Sequence, residues 1–375
     1  MDRQVDDYYS TTRGNGSVGK DESRIQSNRR VIMSKILFIG GNGNISWYCV
    51  NEAQAAGHEV WLMHRGETVA TRRAIQEGVH VIRCDARDRH RAASALQGMH
   101  FDVVCDFICY NESHAALDVE LFQGRTRQFI FISSVVVYRR ATQYLPFTEN
   151  TPMWDASDYN YANDKIVAER LFMRAHHESG FPVTIIRPAH TYDTIVPVPL
   201  GHNCFTAPQR CLDGKPMLIA GDGTNLWSLC HSSDFARALV GVFNQQVTIG
   251  EDYHIAGEEW LTWLDIADIL LETLGVDKPE YVHVPAKDIL ELEVPPSKNM
   301  AISYLGKAFR GQRMWCDIYD NAKIKSVVPD WRCETSFRSG IAQTFAWLFE
   351  NEARRRFNPD LDLLLENLTN KYRSQ

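Results

Sequence analysis

The 375-residue sequence predicts an α/β protein, a doubly wound parallel sheet carrying a smaller α+β lobe. Three observations predict it. Short apolar runs of strand length alternate with helical stretches through the first half of the chain. A glycine-rich turn follows the first of these runs and opens a helix. Gly40, Ser134 and Tyr161 all fall where a parallel sheet presents the carboxyl ends of its strands, the edge at which such sheets bind ligands.

Residues 1–33 read as a disordered leader, polar and without periodicity. The leader holds a decoy, Gly14 to Lys20, that resembles a phosphate loop. Asp21 stands where a hydroxyl must hold magnesium, and no strand precedes it. Lys35–Ile39 is a buried strand, followed by the turn Gly40-Gly41-Asn42-Gly43-Asn44-Ile45-Ser46 and a helix to about Ala56. Further strands follow at 59–63, 79–82, 102–106 and 128–132, the last running into Ser133-Ser134. Residues 230–257 return to the main sheet with a helix near Asp234–Phe243 and a strand at Asp252–Ile255. Trp260–Leu274 has apolar residues at helical spacing and reads as a packing helix, and a last helix runs through Ile341–Phe349. The leucine-bearing tail, 351–375, reads as an amphipathic C-terminal helix.

Composition narrows the function. A hydrophobic fraction of 44% with 23% charged residues is that of a globular protein, and no apolar run approaches a membrane span. The net charge of −7 argues against a nucleic-acid partner. Nine scattered cysteines and no secretory signal fit free thiols in a reducing, cytoplasmic setting. Thirteen histidines show no metal-ligand spacing, so no metal is expected.

The chemistry centres on Tyr161 and Lys165, one helical turn apart and on one face. A free phenol has a pKa of about 10, and a nearby ammonium favours its ionised form, so the pair can move a proton at an alcohol or carbonyl oxygen. Gly40 permits a tight turn, and Gly43 lets the backbone approach a pyrophosphate beside Asn44 and Ile45 at the helix N-terminus. Ser46, at the third glycine position, is small enough for close helix–sheet packing. After the second strand comes Arg65, which suits the 2′-phosphate of NADP better than the free ribose of NAD. Asp85, followed by Ala86, can accept a hydrogen bond from an adenine amino group. Tyr110 and Asn111 are expected beside the nicotinamide, and His190 and His202, with Asn203 more loosely, as substrate contacts.

Gly40-x2-Gly43-x2-Ser46, Ser133-Ser134-x3-Tyr138, Tyr161-x3-Lys165 and Arg187-Pro188 occur in this order, followed by Gly221-Asp222-Gly223, His231-x2-Asp234 and Asp320-x2-Lys323. Together they resemble the extended short-chain dehydrogenase/reductase family, in its NAD-dependent epimerase/dehydratase-like branch, over residues 34–350. The resemblance implies a Rossmann-type domain at 34–193, rejoined by 230–257, and a substrate lobe from 194–229 and 258–350. It implies Ser134 and Tyr161 on the substrate oxygen, Lys165 on the nicotinamide ribose, Pro188 near the nicotinamide, and a homodimer built on helices starting near Ser113 and Tyr161.

The departures shape the expectation. Val135 and Val136 stand where the family's dehydratases carry an Asp-Glu pair, which disfavours 4,6-dehydration. Trp227 stands where sugar-nucleotide enzymes place a diphosphate-binding Arg, offering a stacking face and no charge. Asp193 replaces a usual Gly. The expectation is an NAD(P)-dependent oxidoreductase or epimerase, leaning to NADP, that acts on a secondary alcohol or ketone of a sugar-like small molecule. The alternative is a non-catalytic nucleotide-sensing or RNA-associated protein on the same fold.

Overall fold

The computed structural model describes residues 33–66, 73–140, 144–201, 204–292 and 305–373. Strands β1 (Lys35–Ile39), β2 (Glu59–His64), β3 (His80–Arg83), β4 (Phe101–Asp106), β5 (Thr126–Ile132) and β6 (Val183–Pro188) come first. Between them lie helices α1 (Ser46–Ala55), α2 (Arg89–Ala95), α3 (Glu112–Phe122) and α4 (Asn160–Ser179). The chain continues through β7 (His190–Tyr192), α5 (Thr206–Leu212), β8 (Met217–Ala220), β9 (Leu226–His231), α6 (Ser232–Gly241) and β10 (Asp252–Ile255). Then come β11 (Trp260–Thr262), α7 (Trp263–Leu274) and β12 (Tyr281–Val284).

The main sheet has the order β10-β6-β5-β4-β1-β2-β3, with every neighbouring pair parallel. It is a doubly wound Rossmann-type sheet. The strand order reverses between β1 and β4, and a crevice opens beyond the carboxyl ends at such a point. A parallel sheet covered on both faces needs apolar residues at every position. In β1, Ile36 and Phe38 feed one apolar cluster while Leu37 and Ile39 feed the other, as the two-residue period of a strand dictates.

Two small sheets, β11-β9-β7 and β12-β8, stand beside it. Trp227, Trp263, Ile266 and Phe345 belong to their shared apolar core. The last helix, Pro359–Tyr372, buries Leu361, Leu365 and Leu368, and Leu363 stays exposed.

Three elements differ from expectation. Trp260–Leu274 is not one helix: Trp260–Thr262 pairs antiparallel with β9, and the helix starts at Trp263. The cause is local, because Thr262 and Asp265 form a reciprocal capping box that fixes the first turn there. The helix expected from Ile341 begins at Phe337, where the Ser336 hydroxyl accepts from Ser339 N at 3.2 Å. The third strand runs one residue later than expected. The leader and its Gly14–Lys20 motif lie outside the described residues.

Candidate active site

The turn after β1 is shaped by glycine at two places for different reasons. Gly40 has φ +80°, and a Cβ there would lie 2.5 Å from Ile108 Cγ2, so both backbone and packing exclude a side chain. At Gly43 a Cβ would meet only Ser46 Oγ, at 3.5 Å. The protein itself leaves that space open, and Gly43 lines a cavity of about 540 Å3. Ser46 does more than stay small. Its hydroxyl donates to Gly40 O at 2.8 Å and accepts from Gly43 N at 2.9 Å, closing the turn from within. No side chain caps α1, whose second N–H, of Trp47, donates to Gly43 O at 3.2 Å.

Asn44 ties this turn to the segment after β6. Its amide donates to Thr191 O at 3.1 Å, and its oxygen accepts from Thr194 N at 2.9 Å. Asp193, in the same segment, is fully buried and receives a two-pronged contact from Arg73, 2.9 Å from Nε and 2.5 Å from Nη2. That contact gives Asp193 a structural reason to replace a glycine.

Ser134, Tyr161 and Lys165 meet at the same cavity as Gly40, Gly43, Asn44 and Ile45. β5 delivers Ser134 at its end, where its hydroxyl accepts from Val136 N at 3.3 Å and starts a short 3-10 turn. α4 carries Tyr161 and Lys165 in its first two turns. Burial, with Tyr159 and Tyr110 nearby, holds the Tyr161 phenol above its ordinary 10.0, and a hydrogen bond to Ser134 draws it part of the way back. The Lys165 ammonium is buried and donates to Cys109 O and Ile132 O, both at 2.7 Å. It lies 5.9 Å from the Tyr161 ring centre, and burial pushes it down to about 8. The Tyr161 shift is upward, toward the neutral phenol, and burial is its first cause.

Ser133 faces a different network. Its hydroxyl donates to Glu169 Oε1 at 2.5 Å, and Glu169 is gripped by Arg187 at 2.9 and 2.7 Å. This buried pair braces α4 against β6, directly under the pocket.

The remaining expectations divide. Tyr110, Pro188 and His190 line the cavity. Asn111 does not: its side chain caps α3, accepting from His114 N at 3.0 Å and Ser113 Oγ at 2.8 Å. Trp227 is not a stacking face. It is fully buried, packs on Trp263 at 4.7 Å, donates to Trp315 O at 3.1 Å and stands edge-on behind His190. Asp85 turns its carboxylate to Arg87 N at 2.9 Å, and Ala86 is buried. Arg65 is exposed just past β2, away from the cavity lining. His202 and Asn203 lie outside the described residues.

Arg313, Gln312 and Tyr159 also line the cavity, and the sequence reading did not single them out. The only signal for Arg313 was its place seven residues before the Asp320-x2-Lys323 segment.

The NAD dependent epimerase/dehydratase family matches this chain over residues 36–256. The chain belongs to that family. It is thus an extended short-chain dehydrogenase/reductase, a group of NAD-dependent enzymes. Its curated relatives include 2′-dehydrokanamycin reductase of Streptomyces kanamyceticus, 25% identical over 84% of each chain. Another is chloroplast stem-loop binding protein of 41 kDa b of Arabidopsis thaliana, 25% identical over 89% of this chain and 83% of the relative. Among solved structures, an epimerase of Methanothermobacter thermautotrophicus superposes with TM-score 0.68 at 17% identity, covering 86% of this chain and 95% of that one. A dTDP-glucose 4,6-dehydratase of Bacillus anthracis in complex with NAD gives 0.63 at 19% identity, covering 86% and 98%. These structural likenesses bear on the fold. Among the described residues no helix is long and apolar enough to cross a membrane.

Proposed function

We propose that this family member is an NAD(P)-dependent oxidoreductase or epimerase acting on a secondary alcohol or ketone of a sugar-like small molecule. The observation that carries the reading is the convergence of Ser134, Tyr161 and Lys165 on one cavity whose far wall is the open Gly43 turn. The turn fits a dinucleotide. Space stands where a Cβ would be, and the end of α1 has no side-chain cap. Gly43, Asn44 and Ile45 would hold the pyrophosphate, Lys165 the nicotinamide ribose, and Pro188 the ring.

When bound, the nicotinamide supplies hydride exchange at carbon. The chain's own residues handle the oxygen. Ser134 and Tyr161 hold it by hydrogen bonds, and the neutral Tyr161 phenol donates its proton as a ketone becomes an alcohol. The direction of the Tyr161 shift favours this acid role, and the reductase relative supports reduction as the net reaction. Epimerisation follows if the ketone stays bound and is reduced on its other face.

NADP is the proposed cofactor over NAD. Arg65 stands exposed past β2, and a Cβ at Gly66 would touch the Arg83 stem at 3.7 Å, so two guanidinium side chains border the expected adenosine edge. Arg83 went unnoticed in the sequence because it ends a short, mostly exposed strand.

The similarity to a stem-loop binding protein favours a second reading, a binding protein without catalysis. Tyr161→Phe separates the two. Turnover with a ketone substrate should fall by a factor of about 100 or more, while NADPH binding, followed by fluorescence titration, stays within twofold. Unchanged turnover in the variant, or no binding of either NADPH or NADH by the parent protein, would sink the enzyme reading.

A further inference from the structure

Among the described residues the buried arginines face acids, and so does the half-buried Arg87. Arg87 reaches Asp106 and Asp118, Arg140 reaches Asp317, Arg187 reaches Glu169, and Arg210 reaches Asp362 and Glu366. Pairing of this kind is what a low-dielectric interior demands of a guanidinium. Arg313, half-buried, differs from these. It lines the cavity, and among the described residues no carboxylate pairs with it. Its Nη1 donates instead to two main-chain carbonyls, Val198 O and Gly201 O, both at 3.2 Å. Gly201 makes that grip possible, with φ +142° at the end of the Val198–Gly201 turn. The guanidinium is oriented by the backbone, and no described carboxylate compensates its charge.

The rest of the cavity sharpens the contrast. Among the described residues no Asp or Glu lines it. Its other cation, Lys165, is already held by two carbonyls. Gln312, next to Arg313, spends its amide on Asp317 at 2.9 Å. His190 also lines the cavity, and its Nε2 is buried with no hydrogen-bond partner. Burial first, and the Arg313 charge second, push the His190 imidazolium down to about 3, so the ring is neutral at any working pH. Trp227 stands edge-on behind it, ring centres 5.8 Å apart, and fixes its plane. One oriented cation and one neutral, unsatisfied imidazole thus share a wall that holds no acid among the described residues.

We propose that the substrate carries a single oxyanion, a carboxylate or one phosphate, on a sugar-sized hydroxy or keto compound, and that Arg313 seats it with His190 as a hydrogen-bond partner. This rests on the oxidoreductase reading above and names its substrate class. A cationic amino sugar would meet the Arg313 guanidinium here. A nucleoside diphosphate would need more charge. The position that would supply a second guanidinium is the buried Trp227.

The test uses the full chain with NADPH or NADH, after binding of that cofactor has been measured on its own. D-glucuronate, D-glucose 6-phosphate, D-glucose, D-glucosamine and UDP are titrated calorimetrically into the loaded protein, its Arg313→Gln variant and its Arg313→Lys variant. The expected result is that glucuronate or glucose 6-phosphate binds at least tenfold tighter than glucose, with an affinity that falls as salt rises. The tighter of the two anions identifies carboxylate or phosphate as the group. Arg313→Gln should lose tenfold or more for that anion and keep cofactor binding, and Arg313→Lys should retain part of the affinity. Tightest binding of UDP, glucose or glucosamine overturns the proposal. So does undiminished anion binding by Arg313→Gln, or no anion binding by a cofactor-loaded parent protein. If Arg313→Gln does not fold, Arg313→Lys and the salt dependence decide. Failure to bind either cofactor is a different result, and it strikes the oxidoreductase reading itself.

Discussion

Lys165 shows what burial does to a residue whose spacing alone suggested a simple role. The Tyr161-x3-Lys165 spacing was legible in sequence because it needs only a helix. The Lys165 partners were not, because Cys109 and Ile132 reach it only through the folded sheet. Its ammonium titrates near 8 in the folded chain, against an ordinary 10.5. Below about 8 the lysine is charged in both folded and unfolded chains, and the folded state bears the full cost of the buried charge. Between 8 and 10.5 the folded chain has shed its proton while the unfolded chain keeps it, so stability rises with pH. Urea unfolding of the wild type should therefore gain on Lys165→Met from pH 8 to 10, by up to about 3 kcal/mol, and run parallel to it below pH 7. A constant difference across that range would show that Lys165 titrates normally. Trp227 and Asn111 were misread for a related reason. Sequence gives the residue type at a position, but the direction of a strand side chain or the choice of a helix cap is settled by the neighbours.

At the scale of elements, the turn after β1 separates two duties that glycine performs. Gly40→Ala should destabilise the protein by about 2–4 kcal/mol, because the alanine meets both a left-handed backbone and Ile108. Gly43→Ala should cost less than about 1 kcal/mol in the same urea unfolding, yet weaken NADPH binding at least tenfold by filling the open space. Equal losses of stability in the two variants would mean that Gly43 is only a folding residue. The strand–turn–helix order around this turn was readable because apolar period and glycine position agree. The β11–α7 boundary was not, since Trp260, Leu261 and Trp263 satisfy a helical stripe as well as a strand. The Thr262–Asp265 capping box was the deciding signal, and it was present in the sequence. The segment holding Arg313 has neither period nor cap, and its approach to the cavity had no local sign.

For the whole molecule, α3 and α4 pack side by side, and Val167 on α4 remains exposed among polar neighbours. A homodimer joined through this pair of helices is proposed, and light scattering should return twice the chain mass of 42.9 kDa. A mass of one chain at micromolar concentration would rule it out. The order of the apolar runs revealed the main sheet, while the small sheets were legible only in part because their strands are three to six residues long. One feature of the main sheet governs how the chain can be divided. One of its two edge strands, β10, enters after β7, β8 and β9 have been laid down elsewhere, and it pairs with β6. A fragment ending before Asp252 would therefore bare the edge of β6, from Ile185 to Pro188, directly behind the pocket. A piece ending before Asp252 is expected to lack a cooperative unfolding transition, which circular dichroism would check. Split versions for reporter or complementation work should be cut at exposed turns outside the sheet and reassembled from both fragments, never truncated.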